Sequence, residues 1–359
     1  MTRAPEILGG IDCDIHPAVP SITALLPYLD PYWRQQITTR GIGGLDLASF
    51  PHRIPANARP DWRPALAKPG ADLDAVRAQA LDAFGTRAAI CNCLYGVQAV
   101  FNPHFATALA RAVNDWLAAE WLDREPRLRA SILVAPQDPN EAAAEIERRA
   151  GDPRFVQVLL LVMGDAPIGQ RAHWPILEAA ARHKLPIGLH AGSAARHAPT
   201  GNGWPSYYLE DYVSYAQAFQ AQLLSLVHEG ALGKFPDLTV VCIESGFTWL
   251  PNFLWRTAKT WRGVRSEVPW VDRPPADILR ERVRVTLQPA DAPPDADSMC
   301  RVIEQIGSDE MLLFSTDYPH WHFDGVDAFP DGISPTLRRR MLVENPLATY
   351  PRLQEVLAA

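Results

Sequence analysis

The chain has 359 residues, 47% hydrophobic and 21% charged, an ordinary globular composition that supplies a large core and excludes disorder as a default. Lys and Arg number 34 against 41 Asp and Glu, a formal charge of −7, so no basic field exists to attract nucleic acid or an anionic membrane. The five cysteines, Cys13, Cys91, Cys93, Cys242 and Cys300, are odd in number and form no paired C-x-x-C units, which excludes a disulfide scaffold or a zinc finger.

The first ten residues carry Arg3, Pro5 and Glu6 and lack the long apolar stretch of a secretory signal, so a cytoplasmic protein is expected. No apolar run approaches the length of about 18 residues that a membrane span needs. Residues 11–16 read as a first strand. Residues 17–69, crowded with prolines, read as a long ordered loop or lid. From there helix-like and strand-like segments alternate: helix 71–84, strand 88–92, helix 103–123, strand 129–134, helix 140–150, strand 155–160, helix 174–183 and strand 186–190. A second long connector, 191–208, precedes helix 209–232, strand 238–243, helix 249–263, strand 283–287, helix 296–306, strand 311–316 and a last helix near 335–344. Asp138-Pro139 and Gly307 are the expected punctuation at a helix start and a helix end.

Eight strand-then-helix repeats point to an α/β fold, a (β/α)8 TIM barrel forming a single domain over 1–359 with long insertions after strands 1 and 5. Both insertions follow the C-terminal ends of strands, where such a barrel builds its active site. The second contains Arg196, His197, Trp204, Tyr207 and Tyr208, a mixture suited to an aromatic or carboxylated ligand; a surface loop with scattered aromatics reads equally well.

Some strands carry polar residues that a barrel interior does not ordinarily hold. Asp12, Asp14 and His16 alternate on strand 1 and so share one face, which in a barrel is the inside. A divalent cation is the most economical compensation for burying them; the alternative is a solvated, outward-facing strand. His190 at the end of strand 5 and Asp317 at the end of strand 8 are each unremarkable alone, as a core histidine and a helix cap. A closed barrel brings both to the same rim as strand 1. Asp14, His16, His190 and Asp317 then form a mixed nitrogen and oxygen set, with Zn²⁺ the first choice and Mn²⁺ the second. None of the four lysines lies near 155–163, where a bridging carbamylated lysine would sit, so one ion is expected rather than two.

With Asp12-Cys13-Asp14-Ile15-His16 standing for a D-x-H-x-H motif, His190 and Ser315-Thr316-Asp317-Tyr318-Pro319, the chain resembles the amidohydrolase-related family from residue 11 to about 353. That family includes aminocarboxymuconate-semialdehyde decarboxylase and the resorcylate-type non-oxidative decarboxylases. Phe235-Pro236-Asp237-Leu238 and Glu344-Asn345-Pro346 are similar to further landmarks. One position departs: where the family commonly places a catalytic histidine on strand 6, this chain has Glu244. The resemblance implies a metal-dependent non-oxidative decarboxylase of a small aromatic or unsaturated carboxylic acid, working as a homodimer. Asp317 would carry the proton, with Glu244 as a second acid/base and His228 as a neighbouring imidazole. Substrate contacts are expected from Arg196, Trp204, Tyr207, His320 and Trp321. The alternatives are hydrolysis of an ester, lactone or amide at the same ion and, in another class, a non-catalytic metal- or ligand-binding barrel.

Overall fold

A computed structural model describes residues 8–45, 58–65, 67–192, 197–325 and 328–357. Eight strands, β1 (Ile11–Ile15), β2 (Ala88–Cys91), β3 (Leu128–Leu133), β4 (Phe155–Leu161), β5 (Ile187–His190), β6 (Val240–Ile243), β7 (Val283–Thr286) and β8 (Leu312–Leu313), pair in sequence order. Every pairing is parallel. Helices lie between the strands, so the expected (β/α)8 barrel is the fold. The strands are buried along their whole length, which is why β2 through β7 read as short apolar runs rather than as alternating patterns.

Backbone hydrogen bonds between the end of β8 and β1 nearly close the barrel. Cys13 N donates to Phe314 O at 3.0 Å, Asp317 N to Asp14 O at 3.1 Å and His16 N to Tyr318 O at 2.7 Å. Strand β8 is shorter than the expected 311–316: Phe314 N donates to Met341 O (3.1 Å) instead of to a neighbouring strand, and Thr316 is engaged by a side chain. The Asp12 carboxylate accepts from Thr316 N (2.9 Å), Thr316 Oγ1 (2.6 Å) and Asp14 N (3.2 Å). Burial pushes Asp12 up to about 7 although these three donors pull it down. Asp12 is thus a clasp between the first and last strands.

The expected helices are present, and Asp138 and Gly307 cap them as read: Asp138 accepts from Asn140 N and Glu141 N, and Gly307 takes a left-handed φ of 70°. Several helices escape the sequence reading; Asn345–Thr349 and Pro351–Leu357 follow the last one expected. Pro31–Arg40 lies inside the segment read as loop, and Pro275–Arg282 leads into β7. Both begin with proline at the first helical positions, where a missing N–H costs nothing, so the residue that argued for a loop was a start signal. No described helix is long and apolar enough to cross a membrane.

Inside the barrel a buried polar ladder runs from the C-terminal segment up to β1. Tyr350 donates to Gln157 Oε1 (3.1 Å), and Gln157 Nε2 donates to Ser131 Oγ (2.9 Å) and Asn92 Oδ1 (3.2 Å). Ser131 Oγ donates to Asn92 Oδ1 (2.6 Å), and Asn92 Nδ2 reaches Asp14 Oδ1 at 2.8 Å. Gly188 on β5 leaves room for this ladder: a Cβ there would sit 2.6 Å from the Gln157 amide. Because Gln157 is fixed by three hydrogen bonds it has little freedom to yield. Gly188→Ala is therefore expected to destabilise the fold by about 1–3 kcal/mol, measured as a lower midpoint in urea denaturation against the parent chain.

Candidate metal centre

The C-terminal ends of β1, β5, β6 and β8 bring His16, His190, Glu244 and Asp317 together, and Asp14 lies one step down β1. All five are buried, and His320, on the loop after β8, completes the cluster at the rim. The donor atoms form two overlapping groups, Asp14, His16, His190 and Glu244 in one and His16, Glu244, Asp317 and His320 in the other. Within each group all atoms lie within 4.8 Å of one another. His16 Nε2 stands 2.9 Å from Asp317 Oδ1, 3.1 Å from Glu244 Oε1 and 3.4 Å from Asp14 Oδ1. His190 Nε2 is 3.1 Å from Glu244 Oε1 and 3.8 Å from Asp14 Oδ2. The four residues read from the sequence as ligands thus meet, but divided between the two groups, with Glu244 and His320 added.

Both strand-end imidazoles are held with Nε2 toward the centre. His16 Nδ1 donates to Asn92 O at 2.9 Å, and His190 Nδ1 donates to Ala191 O. A backbone carbonyl behind each ring is the arrangement that orients a metal-binding histidine. Two atoms of the cluster, Asp14 Oδ2 and His190 Nε2, are buried without a hydrogen bond; His190 Nε2 is close to Glu244 but off the line along which a ring N–H donates. Buried polar atoms left unpaired are costly, and a divalent ion satisfies both at once. The donor set, imidazole nitrogens with carboxylate oxygens, suits such an ion.

The charges answer one another. Burial alone would depress the His16 imidazole, but Asp14, Asp317 and Glu244 carry it well above its ordinary value. Burial likewise opposes charge on Glu244, yet His190, His320 and His16 hold its carboxyl well below the usual carboxylate range. For His320 burial is again outweighed, chiefly by Asp317, and the ring is pushed up to about 9. Glu244 and Asp317 both occupy left-handed backbone, φ 57° and 56°, a conformation that costs a residue with a side chain about 1–3 kcal/mol. The surrounding contacts enforce it: Glu244 N donates to Thr286 Oγ1 at 3.0 Å, and Asp317 N is fastened to Asp14 O.

The expected substrate contacts are scattered. Tyr207 is 70% exposed and Trp204 44% exposed, on the segment leading into the Tyr208–His228 helix; His197 pairs with Asp165 at 3.1 Å. Arg196 lies outside the described residues. Trp321 is 44% exposed and packs on His322, with ring centroids 4.1 Å apart. His228 does not join the site. Its helix starts at the mouth with Tyr208, and the 21 residues to His228 carry the chain about 30 Å toward the opposite end of the barrel. There His228 lines a cavity with Phe253 and Trp261, and its carbonyl accepts from Trp270 Nε1.

Other residues take the places left empty. His322 Nδ1 is 3.0 Å from Asp317 Oδ2, and Tyr212 stacks on the His322 ring at 4.7 Å. Tyr208 and Tyr212, four residues apart on the first turns of a helix that begins at the mouth, form a wall with them; burial pushes the Tyr208 phenol up to about 12. A cavity of about 120 Å³ opens beside His16 and His320, lined by Pro17, Val19, Lys68, Tyr95 and Pro319. Asn92, the polar residue just past β2, supports Asp14 with its side chain and His16 with its carbonyl. A polar residue ending an apolar strand was the available signal, the one that singles out His190.

The amidohydrolase family pattern matches residues 11–352. Gamma-resorcylate decarboxylase from Rhizobium sp. (strain MTP-10005) is 26% identical over 285 residues, covering 74% of this chain and 81% of that protein. Among solved structures, 2,6-dihydroxybenzoate decarboxylase from Rhizobium has the same fold, with a TM-score of 0.69 and 20% identity over 96% of this chain and 98% of that one. Dihydroxybenzoic acid decarboxylase from Polaromonas sp. JS666, with bound manganese and the inhibitor 2-nitroresorcinol, gives 0.67 and 21% over 96% and 97%.

Because Asn92 braces two candidate ligands without being one, Asn92→Ala is expected to lower Mn²⁺ affinity about 10–100-fold. Equilibrium dialysis reads this directly, and circular dichroism is expected to be unchanged.

Proposed function

The chain belongs to the amidohydrolase family, and from that premise we propose that it is a metal-dependent decarboxylase of a small aromatic or unsaturated carboxylic acid. The observation that carries this reading is the convergence of Asp14, His16, His190 and Asp317 at the barrel mouth, with Asp14 Oδ2 and His190 Nε2 buried and unbonded. These four residues would hold the ion, His16 linking the two donor groups between which they are divided. When bound, the ion supplies Lewis-acid polarisation of the substrate's carboxylate and a neighbouring oxygen. Manganese, present in the Polaromonas relative, moves ahead of zinc as the choice, in keeping with a centre rich in carboxylate oxygen.

The chain's own residues supply position and protons. His16 and His190 are pre-oriented by the carbonyls of Asn92 and Ala191, so neither ring must reorganise on loading. Asp317, gripped by His16 and His322, is the group that delivers a proton to the carbon that loses CO₂ in this reading. The carbon–carboxylate bond breaks, CO₂ departs, the proton takes its place on carbon, and water restores the proton to Asp317. Tyr208, Tyr212 and Trp321 form an aromatic wall beside a planar substrate and limit the entry of water. A hydrolytic reading retains one specific support: Glu244 provides a carboxylate where an imidazole would favour an anionic substrate.

The reaction is tested by incubating Mn²⁺-loaded protein with hydroxylated benzoic acids in ¹⁸O-water. Release of CO₂ without label in the organic product is the expected result, and label entering a product acid from an ester or lactone would replace it with hydrolysis. Asp317→Asn is expected to lose turnover by at least about 100-fold. His16→Ala and His190→Ala are each expected to lower bound metal per chain in elemental analysis; unchanged metal in both would remove the site.

A further inference from the structure

We infer that Glu244 is itself a ligand of the divalent ion, a role that rests on the reading of this cluster as a metal centre. The argument is geometric. His16 and Glu244 are the two residues common to both donor groups. An ion leaning toward Asp14 and His190 meets Glu244, and so does one leaning toward Asp317 and His320. Glu244 Oε1 lies 3.1 Å from His16 Nε2, 3.1 Å from His190 Nε2 and 3.2 Å from His320 Nδ1. Adjacent ligands of a six-coordinate ion with bonds of about 2.1 Å stand about 3.0 Å apart, so these separations already match the edges of a coordination shell.

The contacts of the side chain point the same way. Asp14 is braced by Asn92, and Asp317 by His322, which lies outside both groups. The Glu244 carboxylate touches three imidazoles, all of them members of the cluster, and its attachment to the scaffold, the bond to Thr286 Oγ1, is made through the backbone N–H. Its left-handed backbone at φ 57° aims the carboxylate inward from the end of β6. His190 Nε2, buried and unbonded, belongs to the same group and shares the ion with it.

A third carboxylate hardens the centre. Oxygen-rich sets favour Mn²⁺, whereas sites richer in imidazole suit Zn²⁺ better, so Glu244 is the residue that biases the choice of metal. The parent chain, Glu244→Gln and Glu244→Ala are stripped with a chelator and titrated with Mn²⁺ and with Zn²⁺ by calorimetry, without substrate. Glu244→Ala is expected to weaken Mn²⁺ by more than about 100-fold, beyond the range for residues that only orient ligands. Zn²⁺ is expected to weaken less, so the preference shifts toward Zn²⁺. Glu244→Gln, which keeps the shape of the side chain, is expected to show the same shift in smaller degree. The circular dichroism of the stripped proteins at the titration temperature is expected to be unchanged, which separates loss of a ligand from loss of fold. Equal Mn²⁺ affinity in all three chains would overturn the assignment and leave the proposed reaction standing; absence of CO₂ release by the parent chain would remove the reaction and leave this assignment standing.

Discussion

Three carboxylates, Asp14, Glu244 and Asp317, are buried side by side at the mouth of the barrel, and positive charge must meet them there. Water cannot supply it at this depth. Imidazoles do so in the structure described, each driven above its ordinary basicity by the acids it faces. A divalent ion meets the same demand with a single centre of charge, and it also satisfies the two polar atoms that the imidazoles leave unbonded. The barrel closure, the polar ladder and the strained strand ends all serve to hold these acids where they would otherwise repel.

The support is layered. Asp12 joins β1 to the chain beyond β8 through Thr316, fixing the two strand ends whose acids must converge. Asn92 sits behind Asp14 and His16, and Ser131, Gln157 and Tyr350 hold Asn92 in turn. A fully satisfied buried network of this kind resists rotation, so the centre is built before any ligand arrives. The left-handed residues Glu244 and Asp317 tolerate their backbone only because such neighbours over-determine it. Rigidity below and an aromatic wall of Tyr208, Tyr212 and Trp321 above set a cluster of acids and imidazoles apart from an aromatic face, the two halves that the proposed reaction assigns to an ion and to an organic ring.

The sequence by itself determined the architecture and the strand-borne part of the centre. Eight short apolar runs separated by helical patterns favour a closed barrel, and in a closed barrel the polar residues at the ends of such runs, Asp14, His16, His190 and Asp317, fall at one rim. Strand periodicity fixes the face of Asp14 and of His190, whereas Asp317 lies beyond the end of β8 and was legible only as a carboxylate following an apolar run. Only the tertiary structure decided what the loops and helices contribute. It brought His320 and His322 into contact with Asp317, turned Tyr207 outward while Tyr208 and Tyr212 faced in, and carried His228 to the far end of its helix. It also set Glu244 equally near two imidazoles from other strands. Contacts of this kind depend on how separate segments are packed and twisted against one another, and no local pattern in a linear sequence encodes those distances.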